Sequence, residues 1–237
     1  MKNQKLLVVV FICLFPIVLL LILFYSAEVV DSDSKVGLKP LLIIDAGHGG
    51  FDGGAIAIDG TLEKDINLDI SQRLSVVAEL SGFDVVMVRE EDTAVCDEGF
   101  DTIRQKKVSD IHNRLELTNK YSDAAFISIH QNSFGQSKYW GTQVFYGPNN
   151  SQSKNLASSI QNSISLNLQK DNKREIKKAE KNLYILYNTN STAVMVECGF
   201  LSNEDECKRL QQPIYQQQLA FEIVRALTEF KFLSDTI

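Results

Sequence analysis

The sequence predicts a single α/β domain built on a largely parallel sheet with helices on both faces. Three observations predict it. Short apolar runs alternate along the chain with longer amphipathic stretches, which is the strand-then-helix order of a doubly covered parallel sheet. At 237 residues there is room for one large domain and little else once the amino-terminal segment is set aside. An apolar content of 44% with charges of both signs marks a folded globule rather than a disordered chain.

The elements follow in order. Leu41–Asp45 reads as the first strand, and Thr61 suits the N-cap of a helix from Leu62 to Leu80, with Gly82 closing it. Val85–Arg89 is the next strand, and a helix over Val108–Tyr121 leads into the strand Ala125–His130. Thr142–Tyr146 is a further strand, after which the turn Gly147–Asn150 opens a helix over Ser151–Leu168. Leu183–Leu186 and Ala193–Cys198 supply two short strands, and helices over Asn203–Leu210 and Ile214–Phe232 finish the chain. The basic stretch Lys170–Lys181 reads as a solvated loop or helix, with a groove for an anionic substrate as the other reading.

The amino terminus carries a targeting signal. Lys2 and Lys5 precede an uninterrupted apolar run from Leu6 to Phe24, close to the roughly 20 residues that span a hydrocarbon core. Acidic residues follow it (Glu28, Asp31, Asp33), which places the amino terminus inside and the domain outside. Tyr25-Ser26-Ala27 is a poor cleavage site. Residues 1–25 therefore read as an uncleaved signal anchor, with a cleaved signal peptide and a secreted domain as the other reading, 26–39 as a polar tether and 40–237 as the exported domain. The formal charge is −6, and the exported part is more acidic still because two of the lysines precede the run. Such a domain is unsuited to nucleic acid or to an anionic membrane surface. Of the four cysteines, Cys13 lies in the apolar run, and the other three, Cys96, Cys198 and Cys207, are an odd number that allows no complete disulfide framework.

The chemistry rests on rare residues. Two of the three histidines stand directly after strand-like runs: His48 in IIDAGHGG and His130 in FISIHQN. Glu63 lies in the first helical turn, in TLEKDIN, and Glu197 near the end of a late strand, in VMVECGF. Two imidazoles and one carboxylate are the donor set of a hydrolytic zinc site with an open position. A further glutamate beside them is the general base such a site needs. Ligands of an open parallel sheet bind beyond the carboxyl ends of its strands, and all four residues fall at that edge. Glu197 in an apolar strand also demands a partner, since an unpaired buried carboxylate is costly. His112, in mid-helix, reads as a surface residue. Cys198 would face away from Glu197 and is no nucleophile. The glycines around His48 let the backbone approach a metal and a bulky substrate.

The motifs IIDAGHGGFDGGA, EKDINL, KVSDIHNR, FISIHQN, GTQVFY and VMVECGFLSN occur in this order. Together they resemble the zinc-dependent Amidase_3 family of N-acetylmuramoyl-L-alanine amidases over residues 41–230. The resemblance implies a twisted sheet of about six strands, Zn2+ held by His48, Glu63 and His130, and Glu197 as the catalytic glutamate. It implies hydrolysis of the amide between N-acetylmuramic acid and L-alanine in peptidoglycan. In that reaction Glu197 takes the proton of the attacking water and returns it to the leaving amine. IRQKKVSDIHNR, VECGFLSN, the size and the single anchor look like the germination-specific, CwlD-type amidases of the spore cortex. STAVMVE departs from the family in lacking a proline before the final strand. Two readings from other classes stay open: an exported zinc peptidase or deacetylase, and a non-catalytic, membrane-tethered wall-binding module. An amidase that needs an accessory protein for activity also stays open.

Overall fold

Which way each strand faces is decided by alternation along three central strands. The computed structural model describes residues 39–234. Its elements are β1 (Leu41–Ala46), α1 (Glu63–Leu80), β2 (Asp84–Met87), α2 (Ile103–Lys120), β3 (Ala125–Asn132) and β4 (Gln143–Tyr146). They continue with α3 (Ser151–Asn167), β5 (Lys177–Lys178), α4 (Tyr184–Asn188), β6 (Thr192–Phe200), α5 (Glu204–Leu210) and α6 (Pro213–Ser234). The sheet order is β2-β1-β3-β6-β4-β5, with β4 antiparallel to β6 and the other pairings parallel.

Leu42, Ile44, Ile127, Ile129, Val194 and Val196 point to one face and pack against α1, α3 and α6. The intervening residues point to the other face, where Ile43, Phe126, Ala193 and Met195 meet α2 and α4. Register stacks this second face in rows. Ile43, Phe126 and Ala193 form an apolar row. Asp45, Ser128 and Met195 form the next. His130, Glu197 and Gln143 form the last, at the carboxyl ends of β3 and β6. The apolar row anchors this face, the middle row turns polar at Asp45 and Ser128, and the last row ends the sheet.

The expected class holds, with three local differences. Leu183–Leu186 is not a strand: Tyr184–Asn188 is a short helix whose Ile185 and Leu186 pack against Phe126 and Met195. A short apolar run looks the same whether a buried strand or a buried helix turn carries it. The sixth strand is instead the two-residue Lys177–Lys178, a charged edge of the kind that resists further pairing. Thr61 is not the cap of α1. Leu62 holds that position without a side-chain bond, because the carbonyl of Thr61 accepts from Ala57 and fixes the preceding turn. Helix α2 starts at Ile103, earlier than expected, under a capping box between Thr102 and Gln105.

Strand β5 is too short to pair with all of β4, so buried amide side chains complete that edge. Gln161 accepts from Val144 N (3.0 Å) and donates to Thr142 O (3.1 Å). Gln169 accepts from Thr142 N at 2.8 Å, and Asn172 donates to Thr142 O at 2.9 Å. The expected anchor, residues 1–25, and the tether up to residue 38 lie outside the described residues. Among the described residues no helix is long and apolar enough to cross a membrane.

Candidate metal centre and active site

The loop after β1 is built by backbone grip. His48 adopts φ +63°, a conformation that costs a non-glycine residue about 1 kcal/mol or more and persists only where its surroundings impose it. Two buried arginines impose it. Arg89 donates to Ala46 O, Gly47 O and Lys64 O at 2.8–3.0 Å. Arg114 donates to Ala46 O at 3.0 Å and His48 O at 2.7 Å, and it ion-pairs with Asp45 and Asp110. Asp45 is fully buried and accepts from Ser128 Oγ at 2.7 Å. Burial alone would push its carboxyl up. The Arg114 charge and the Ser128 bond outweigh that and hold it below the usual carboxylate value.

Removing one partner of a buried pair strands the other charge. Arg114→Leu is therefore expected to destabilise the fold by about 3–5 kcal/mol. Urea unfolding at neutral pH measures this, and a loss under about 1 kcal/mol would refute the account.

The structure brings His48, Glu63 and His130 together, with one donor atom of each within 4.8 Å of the others. Glu63 opens α1 and aims its carboxylate at the ends of β1 and β3. Its Oε1 lies 2.9 Å from His130 Nδ1 and its Oε2 3.2 Å from His48 Nε2. The same carboxylate accepts from Ala55 N (2.8 Å) and Gln131 N (3.1 Å), which fixes its orientation. Burial would raise its pKa, but the two imidazoles overturn that and keep the carboxyl well below the ordinary range. Behind His48, Asp52 Oδ2 contacts Nδ1 at 2.9 Å, and Lys107 holds the other oxygen of Asp52 at 2.8 Å.

These contacts fit a cation. If Nδ1 of His48 donates to Asp52, the Nε2 lone pair points at the Glu63 carboxylate, and only a positive charge between them satisfies both. A carboxylate behind a ligating imidazole is the usual second layer of a metal site. The same demand appears in protonation: burial disfavours the charge on His48, yet Asp52 and Glu63 raise its pKa to about 9.

Glu197 lies beside His130 in register, and its Oε2 is buried without a hydrogen-bond partner. Burial, with the Glu63 charge added and His130 and His48 opposing, pushes its carboxyl up to about 7. That is the range suited to giving and taking protons near neutrality. A cleft of about 290 Å³ opens beside the triad between α2 and α4, with Phe51, Lys107, Leu183 and Tyr184 among its walls.

His112 and Cys198 stay outside the cluster. His112 is exposed on α2 and stacks on Tyr184 with 5.4 Å between ring centres. Cys198 is fully buried on the opposite face of the sheet, and burial pushes its thiol far up. Asp45, Asp52, Arg89 and Arg114 were not singled out from the sequence. The one signal available was Asp52, four residues after His48. The others become functional only through partners distant in the chain.

The family model for N-acetylmuramoyl-L-alanine amidase, Amidase_3, matches residues 42–229. The germination-specific N-acetylmuramoyl-L-alanine amidase of Bacillus subtilis (strain 168) is 32% identical over 190 residues, covering 80% of this chain and 79% of that protein. The CwlD amidase of Clostridioides difficile, solved in complex with the GerS lipoprotein, is 40% identical with a TM-score of 0.79, over 82% of this chain and 99% of that one. The amidase AmiC2 of Nostoc punctiforme is 30% identical with a TM-score of 0.66, over 83% and 98% of the two chains. On these grounds the chain belongs to the Amidase_3 family of N-acetylmuramoyl-L-alanine amidases, and its likeness within the family is to the germination-specific, CwlD type.

Proposed function

We propose that the protein removes stem peptides from peptidoglycan by hydrolysing the amide between N-acetylmuramic acid and L-alanine, with zinc held by His48, Glu63 and His130. The observation that supports this best is the pairing of a three-donor cluster with an unpartnered, buried Glu197 beside it. When bound, such an ion polarises the scissile carbonyl and acidifies water next to it. The residues of the chain do the rest. Glu197, with a carboxyl titrating near 7, accepts the proton of the attacking water and passes it to the departing alanine nitrogen. Asp52 holds the His48 ring in place through Nδ1. The cleft between α2 and α4 seats the substrate beside the triad.

The likeness to a germination-specific enzyme supports a role in modifying spore cortex during sporulation or germination. The neighbour solved with a lipoprotein supports an accessory protein as partner. The apolar run before the domain supports an enzyme anchored to the membrane and acting outside the cytoplasm.

Incubating the full chain with purified sacculi, with and without a chelator, tests the reading. The expected products are stem peptides with new alanine amino termini, and their release should stop on chelation. Free amino acids or acetate in their place would instead identify a peptidase or a deacetylase.

A further inference from the structure

The polar row at the end of the sheet does not stop at Gln143. Gln143 Oε1 accepts from Arg174 Nη2 at 2.6 Å, so a guanidinium stands one strand beyond Glu197, on the side away from His130. Arg174 makes no salt bridge among the described residues, and its Nε is buried without a hydrogen-bond partner. Its guanidinium carbon lies 4.8 Å from the centre of the Phe200 ring. Glu206 and Glu197 act on it only from beyond salt-bridge distance, and a half-buried arginine with an unpartnered donor and no carboxylate in its fork is incomplete, because that planar fork is shaped to receive one.

The surroundings are built rather than incidental. Arg174 N donates to Asn172 Oδ1 at 2.9 Å, and Asn172 is itself buried and tied to Thr142 O. Across the pocket, the loop carrying Lys138, Tyr139 and Trp140 is pinned at both ends. Phe134 N donates to Ser202 Oγ at 3.1 Å, and Gly141 N donates to the buried carboxylate of Glu206 at 2.9 Å. Tyr139 then stacks on Phe200, 6.3 Å between centres. Lys138 and Lys173 add positive charge, and Asp171 is the one acidic residue lining the pocket.

We propose that this pocket, headed by Arg174, binds a free carboxylate of the stem peptide and thereby sets the enzyme's preference for acidic over amidated peptide. The proposal rests on the amidase reading. Neighbouring strands lie about 4.8 Å apart, and a peptide spans at most about 3.6 Å per residue. A carboxylate within two or three residues of the scissile bond therefore reaches Arg174 while the amide lies at Glu197.

The test compares two matched sets of soluble glycan–peptide fragments that differ only in whether the second stem residue carries a free carboxylate or its amide. The full chain should cleave both and favour the acid. Arg174→Gln should raise KM for the acid by about 10- to 100-fold, the range of a lost charged hydrogen bond, while KM for the amide changes little. The Arg174 charge also lowers the Glu197 carboxyl's pKa, so any change in kcat should be the same on both substrates. Arg174→Lys, which keeps the charge but not the fork, should restore part of the preference. Equal loss on both substrates, or a fall in kcat alone, would assign Arg174 to supporting Glu197 and overturn the proposal, as would no change. If the unaltered chain cleaves neither fragment, the amidase reading fails first and takes this one with it.

Discussion

Glu197→Gln is expected to lower kcat for stem-peptide release by about 10³-fold while zinc stays bound, because in the proposed reaction one residue performs both proton transfers and each is worth about 10²–10⁴-fold. Glutamine has nearly the same shape, so the β3–β6 register beside His130 is preserved. Stability at neutral pH should hold or rise, since the amide has nearly the same shape but no charge to bury. Three measurements on one preparation decide the matter: alanine amino termini released from sacculi, zinc per chain, and the urea midpoint. Activity above about a tenth of the original, with zinc bound, would remove Glu197 from the reaction.

The second large effect comes from a residue with no side chain. A Cβ on Gly47 would fall 2.3 Å from Cε1 and Nε2 of His130, well inside van der Waals contact. Gly47 lacks a positive φ, so the conflict is with the imidazole and not with the backbone. The ring cannot stay where Glu63 holds it. Gly47→Ala should therefore weaken zinc binding by at least the roughly 10- to 100-fold seen when a ligand loses its support, and activity should fall in step. Gly53→Ala is the matched control, because its Cβ would meet Leu62 Cδ2 at an ordinary 3.5 Å. Chelator competition on both variants settles it. Equal zinc affinity in Gly47→Ala and the parent would show that His130 is not a ligand.

How much of this was legible beforehand depended on distance along the chain. The α/β class and five of the six strands follow from alternation, which is local. Leu183–Leu186 reads as a strand where the chain forms the helix Tyr184–Asn188, because a four-residue apolar run carries no period long enough to distinguish the two. His48, His130 and Glu197 are visible because a histidine or carboxylate at a strand end is rare and chemically loud, and Glu63 because it opens the helix that starts at the same edge. Arg114 sat unremarked inside KVSDIHNR. Its meaning lies in carbonyls some 66 to 68 residues away, which no local pattern encodes. Arg174 was seen only as part of a basic stretch, and its bond to Gln143 separates it from its lysine neighbours.

The stacking of rows on β6 has a consequence for how a population of molecules is judged. Val196, Glu197 and Cys198 alternate between a packed core and the face that carries the candidate site. A slip of one residue against β3 would exchange the faces, driving Glu197 into apolar packing and offering Cys198 to the substrate. Such a molecule is both unstable and inert. Turnover is therefore a proofreading signal for the fold, since each active chain is one whose strands closed on the correct step. Loss of activity and loss of structure should fall on a single denaturation curve.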